Sequence, residues 1–230
     1  MLPEAVDPRW PKLLSLTVHE FRTPMTVVAG YLRMLLKERA GPVSDQQRRL
    51  LEEAEKSCAR LSSLLGEVSD LSNLEAGTAS FNRSEVDLHS ILKDAIAALP
   101  ELPDRAIGVD LQMDSGPSHL QADAVRLKTA LTSVIAALRR ELVTSDRLIV
   151  REHPRRFDGR PVSWIVVGDA ERVAGLSDVE SPALTTFDEW RGGVGLSLAI
   201  ARRVINAHGG SIWSPAREGK AEAVIAFPVT

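Results

Sequence analysis

His19 and Glu20 are adjacent, Thr23 follows one turn later, and Pro24 comes immediately after. A neutral imidazole is a nucleophile, and its reference pKa near ~6.5 keeps most of it neutral at pH 7. Glu20 is placed to accept the proton of one ring nitrogen, leaving the other to attack an electrophilic phosphorus. Thr23 lies four residues on, so its hydroxyl shares a helix face with His19. Pro24 withholds one helical N–H and is expected to bend the helix at this turn. Leu14, Val18, Phe21, Met25, Val28, Leu32 and Leu35 alternate steps of four and three, which predicts a helical apolar seam. With Val18 at a and Phe21 at d, His19 falls at b. That is off the seam and toward water, where a second protein can reach it.

A second place for chemistry lies near the other end. Gly192-Gly193-Val194-Gly195-Leu196-Ser197 opens a helical pattern that closes at His208-Gly209-Gly210. Glycines before a helix let backbone N–H groups approach phosphate oxygens, and the helix N-terminus adds favourable dipole charge. Alone, such a turn is weak evidence. Asp169 ends the apolar run Ile165-Val166-Val167-Gly168, where a carboxylate serves either a ligand or a turn.

Two sets of elements must hold these residues. Gly41-Pro42-Val43-Ser44 supplies a breaker and an N-cap. A second helix then runs to about Ala76, with Leu51, Ala54, Cys58, Leu61, Leu65 and Val68 stepping three and four. Two such helices make a hairpin that leaves apolar surface wet. Pairing with a second copy into a four-helix bundle remedies that, and packing onto the rest of the chain is the alternative. From Gly77 the pattern turns mixed. Strands are predicted near 85–88, 107–113, 147–153, 161–168, 211–214 and 221–228, and helices over 89–99, 123–142 and 194–208. The fold class is α+β: a helical hairpin, then a two-layer α/β sandwich with helices on one sheet face. The segments are 1–9, 10–76 and 77–230.

Composition narrows the function. The 230 residues carry a net charge of −3 without a basic stripe, which argues against nucleic acid. No membrane segment or secretory pattern appears. The single cysteine, Cys58, cannot form an internal disulfide, which suits a reducing, cytoplasmic setting.

The stretch Leu16-Thr17-Val18-His19-Glu20-Phe21-Arg22-Thr23-Pro24-Met25-Thr26 resembles the phosphoacceptor box of sensor histidine kinases. The resemblance implies that His19 takes the γ-phosphoryl of ATP and passes it to an aspartate of a response regulator receiver domain. It gives Glu20 a part in proton transfer and links Thr23 with dephosphorylating the regulator. It also implies a homodimer. The second half resembles the ATP-binding domain shared by histidine kinases, gyrase-type topoisomerases and the chaperone Hsp90.

Within that resemblance, Gly193, Gly195 and Leu196 belong to a phosphate-side glycine box, with Ser197 replacing its third glycine. Asp169 is the residue that hydrogen-bonds the adenine amine, although Glu171 and Val173 stand where glycines normally follow. Phe187 and Trp190 match the aromatic part of a lid. Asp123-Ala124-Val125-Arg126-Leu127-Lys128 begins the family's asparagine helix. Ser133 and Ala137 fall at the two asparagines, the second of which would give an oxygen to Mg²⁺. Arg140 takes the basic position that contacts phosphate. ATP and Mg²⁺ are the implied cofactors, and no metal ligand is assigned. Three functions follow: a kinase core, a phosphotransferase or phosphatase with a retired ATP site, and a non-catalytic dimeric scaffold.

Overall fold

Helix α1 (Arg9–Leu36) and helix α2 (Asp45–Glu75) form an antiparallel hairpin. It belongs to the first of two compact units, Met1–Ala79 and Ser80–Thr230. The computed structural model describes residues 9–157, 159–177, 183–191, 195–216 and 221–230. Helix α1 stops at Leu36, and Glu38 just beyond adopts a φ of 55° that a right-handed helix cannot continue. Ser44 then caps α2 reciprocally: the Gln47 N–H donates to Ser44 Oγ at 3.3 Å, and the Ser44 N–H donates to Gln47 Oε1 at 2.8 Å.

The hairpin is tied along its length. Arg48 donates to the Leu36 carbonyl at 3.1 Å, and Ser72 Oγ donates to the Pro11 carbonyl at 2.8 Å. Between these ties, Val18 and Cys58 are buried, and the Cys58 thiol faces the Met25 carbonyl. The expected seam needs correction, since Phe21 and Val28 are exposed. Successive residues turn by about 100°. Leu14, Val18, Met25, Ala29 and Leu32 therefore line the side toward α2. Phe21, Val28, Tyr31 and Leu13 widen the apolar surface away from it.

The second unit opens with β1 (Ser84–Asp87), paired antiparallel to β3 (His119–Ala122). Helix α3 (Leu88–Ala97) follows β1, and β2 (Gly108–Met113) precedes β3. Next come α4 (Ala124–Glu141), β4 (Arg147–Phe157), β5 (Arg160–Gly168) and α5 (Ala170–Ser177). The last described elements are β6 (Leu184–Thr186), α6 (Ser197–Ala207), β7 (Ser211–Pro215) and β8 (Ala223–Pro228). Six strands form one sheet in the order β2-β4-β5-β8-β7-β6. Among the described residues only β2 and β4 pair in parallel within it, joined by a crossover that contains α4.

Strand alternation assigns the two faces. Ser163 on β5 donates to Glu152 of β4 at 2.7 Å, and Glu152 meets His89 Nε2 of α3 at 2.7 Å. That face is therefore covered by α3, with α4 packed between α3 and α6. On the opposite face Val162, Trp164, Val166, Val224 and Ala226 pack around Val173 of α5. Trp164 also stacks on Trp213 at 5.9 Å. Helix α5 is thus a cover that the sequence reading did not anticipate. Each fully buried aliphatic side chain stabilises the fold by about 1.5–3 kcal/mol.

Candidate functional site

The first candidate site is a single turn of α1. His19 and Glu20 are 75% and 74% exposed, with His19 Nδ1 3.7 Å from Glu20 Oε1. That separation is just outside a hydrogen bond, and a small side-chain rotation closes it. Thr23 is exposed on the same helix. Helix α1 continues through Pro24, which lacks the N–H that would donate to the Glu20 carbonyl. The turn thus offers water a nucleophilic nitrogen, a carboxylate and a hydroxyl together.

The second candidate site lies in the α/β unit and depends on how α4 is anchored. Asp123 caps α4, its carboxylate accepting from the Arg126 N–H at 3.0 Å and the Asn82 N–H at 2.9 Å. These bonds, the Arg126 N–H foremost, hold the Asp123 carboxyl below its ordinary range against the opposing effect of burial. The Asp123 N–H donates to Nε2 of buried His208 at 3.0 Å, and His208 Nδ1 lies 2.7 Å from the Val204 carbonyl. The second bond requires a proton on Nδ1, so Nε2 is the acceptor and the ring is neutral. Burial, with Arg83 and Arg126 nearby, lowers the His208 pKa.

Along α4, Ser133 Oγ donates back to the Thr129 carbonyl at 3.0 Å, and Ala137 is completely buried. Arg140 is exposed and borders a cavity of about 350 Å³ lined also by Glu101, Asp104 and Arg105. At the end of β5, Asp169 caps α5, with Oδ1 accepting from the Arg172 N–H at 3.0 Å. Its Oδ2 accepts from Thr144 Oγ1 at 2.8 Å. Gly195 has a φ of 67°, and Leu196 begins α6 without any side-chain cap. Gly195 and Leu196 thus lead into the N-terminal end of α6, the end of a helix whose dipole favours an anion. Gly193 lies outside the described residues.

Further groups sit beside Asp169 that sequence reasoning missed. Arg191 donates to Glu141 Oε2 through Nε at 2.9 Å and Nη2 at 2.5 Å, and to the Glu222 carbonyl at 3.2 Å. Glu222 pairs with Arg172 at 3.1 Å. Burial, with Asp169 nearby, raises its carboxyl pKa despite Arg172 and Arg191. Glu189 is buried between Arg202 at 3.0 Å and Arg203 at 2.6 Å, while its neighbour Trp190 is exposed. Glu141 and Arg191 are fifty residues apart, so no local spacing could have paired them. A charged residue ending the buried face of α4 was the available hint.

The His Kinase A (phospho-acceptor) domain family matches residues 12–77. The hairpin is a His Kinase A domain. Over most of its length the chain is also similar to sensor histidine kinases. It is 26% identical over 217 residues to the circadian input-output histidine kinase CikA of Synechococcus elongatus, covering 92% of this chain and 29% of that protein. It is 28% identical over 228 residues to the histidine protein kinase DivJ of Caulobacter vibrioides, covering 95% and 37% respectively. The chain thus spans well under half the length of these curated relatives. The crystal structure of full-length ShkA in complex with AMPPNP shares the fold, with a TM-score of 0.67 and 23% identity, covering 96% of this chain and 46% of that one.

The hairpin that matches the His Kinase A family thus precedes an α/β sandwich in a chain that shares its fold with the ShkA structure. Two-component signal transduction is the setting of the family, which uses ATP and Mg²⁺. Among the described residues no helix is long and apolar enough to cross a membrane. No described cluster of His, Cys, Asp or Glu could hold a metal ion.

Proposed function

We propose that this chain works as the core of a two-component histidine kinase, with His19 as the phosphoacceptor. The observation that carries this reading is the exposed His19–Glu20 pair on a His Kinase A hairpin. In the proposed reaction, Glu20 takes the proton from one ring nitrogen as the other attacks the γ-phosphorus, and the bond from that phosphorus to the bridging oxygen breaks to release ADP. The phosphoryl group then passes from His19 to an aspartate of a response regulator receiver domain. Thr23, one turn on, positions the water that returns the regulator to its unphosphorylated form. Two copies pair through the apolar surface that Phe21, Val28, Tyr31 and Leu13 leave open on α1.

Part of the second unit fits a nucleotide. Asp169 would meet an adenine amine, and the N-terminal end of α6 at Gly195 and Leu196 would meet phosphate oxygens. A hard cation fits poorly, because Ala137 has no oxygen and Ser133 Oγ is committed to the Thr129 carbonyl. Arg140, beside Glu101 and Asp104, is poorly placed for an anion. This mismatch favours a second reading, in which the hairpin transfers or removes phosphate without using ATP.

Incubation with γ-labelled ATP and Mg²⁺ separates the two, with His19→Gln alongside. Acid-labile label on the wild type alone is the expected result for the kinase. Absence of label, with exchange of phosphate between His19 and a phosphorylated receiver domain, selects the second reading. If neither occurs and the chain still binds the receiver domain, it is a scaffold.

A further inference from the structure

We propose that His208 is a proton-operated latch on residues 81–83, where the chain coming from the hairpin joins the α/β unit. The first unit ends at Ala79, and β1 begins only at Ser84. The residues between are held by individual contacts rather than by a strand ladder. The Asn82 N–H donates to Asp123 Oδ2 at 2.9 Å, and Arg83 donates to the Ala207 carbonyl at 2.6 Å. The Phe81 ring meets the His208 ring edge-on at 5.0 Å. Its centre also lies 5.2 Å from the Arg126 guanidinium and 5.6 Å from that of Arg83. The segment is thus fastened to the start of α4 and the end of α6.

Buried His208 sits between those two helix ends, and both of its ring nitrogens are engaged. Nδ1 donates to the Val204 carbonyl at 2.7 Å, and Nε2 accepts the Asp123 N–H at 3.0 Å. A proton added to Nε2 would set donor against donor, so the ring and the Asp123 N–H must part. The new cation would also be buried beside Arg83 and Arg126, with Asp123 the one opposing charge among the described residues. Burial first, and then these two arginines, hold the pKa below its ordinary value. Proton uptake therefore requires the ring to leave its place. Asp123 is the residue whose carboxylate holds Asn82 and caps α4, so displacing its backbone reaches residues 81–83 directly. Release frees residues 80–83 and lets the connector after Ala79 reach about 13 Å further.

The sign is fixed by the neutral ring. The latch is closed above about pH 6.5, the ordinary histidine value that the freed ring regains. Below it, each pH unit multiplies the open fraction by up to about ten. The test is amide hydrogen exchange of the full chain from pH 5 to 8, corrected for the intrinsic pH dependence of exchange. The Asn82 and Asp123 amides are the reporters, and the amides of β5 are the reference. Protection of both reporters should be constant above pH 7 and fall by up to about tenfold per unit below pH 6.5, while β5 stays protected. The Asp123 carboxyl, held below its ordinary range, does not titrate in this window. His208→Gln keeps one acceptor and one donor without a titratable ring, so its reporters should stay protected throughout. His208→Phe should leave Asn82 weakly protected at every pH. Reporters that lose protection only in step with β5 would mark global unfolding and overturn the latch. A flat wild-type profile, or an acid response that survives in His208→Gln, would overturn it equally.

Discussion

Replacing His208 with phenylalanine tests whether a neutral histidine anchors α4. The variant keeps a ring of similar volume against Phe81, whose centroid lies 5.0 Å away edge-on. What it loses is polar. The Asp123 N–H has His208 Nε2 as its acceptor at 3.0 Å, and stranding a buried donor costs about 1–3 kcal/mol. The Val204 carbonyl keeps the His208 backbone N–H at 3.2 Å, so loss of the ring bond there costs only about 0.5–1.5 kcal/mol. The expected destabilisation is about 2–4 kcal/mol at pH 7.5. It is read by urea unfolding followed through the stacked Trp164 and Trp213 of the same unit.

The pH dependence is a sharper criterion. The folded pKa of His208 lies below the ordinary 6.5, so the unfolded chain takes up a proton first as pH falls. Wild-type stability is therefore complete above about pH 6.5 and is lost below it, by at most about 1.4 kcal/mol per pH unit from this one group. The phenylalanine variant lacks that slope, so its deficit against wild type must shrink on acidification. Equal stability at pH 7.5, or curves that stay parallel down to pH 5, would refute the anchoring.

Three further outcomes follow from packing. Gly210→Ala would set a Cβ 2.5 Å from the ring of buried Phe227 and 2.9 Å from the Ala226 carbonyl, and should cost about 1–3 kcal/mol in the same unfolding assay. Ala137→Asn restores the oxygen that the resemblance leads one to expect, but at a position with no exposed surface. It should lower stability by about 1–3 kcal/mol, with no stabilisation on adding Mg²⁺ alone. Phe21→Ser with Val28→Ser should weaken self-association by tenfold or more in sedimentation equilibrium, while helix content measured by circular dichroism is unchanged.

Much of this architecture was legible in local pattern. The three-and-four spacing gave both hairpin helices, Ser44 after the Gly41-Pro42 breaker marked the start of α2, and alternation marked β2, while the patterns near 147–153 and 161–168 marked β4 and β5. Phe21 and Val28 were misassigned because the apolar stripe of α1 is wider than one partner helix can cover. Periodicity alone cannot say which edge of such a stripe meets α2. Strands β3 and β6 are too short to carry a period. Helix α5 was hidden in what looked like a loop, because its signal was a capping aspartate, Asp169, already read as a ligand contact. The His19 turn was readable because its residues are neighbours in the chain. The Glu141–Arg191–Glu222 crossing was not, since tertiary folding alone brings those positions together.

The placement of the tryptophans gives the molecule an optical asymmetry. Trp164 is buried in the α/β unit and stacks on half-buried Trp213, whereas Trp190 is largely in water beside Arg191. Emission from Trp164 should be blue-shifted and hard for iodide to quench, while Trp190 should emit to the red and be quenched freely. The unit therefore contains an internal reference and an external reporter without any attached dye. Motion of residues 187–191 would change the second signal and leave the first almost untouched.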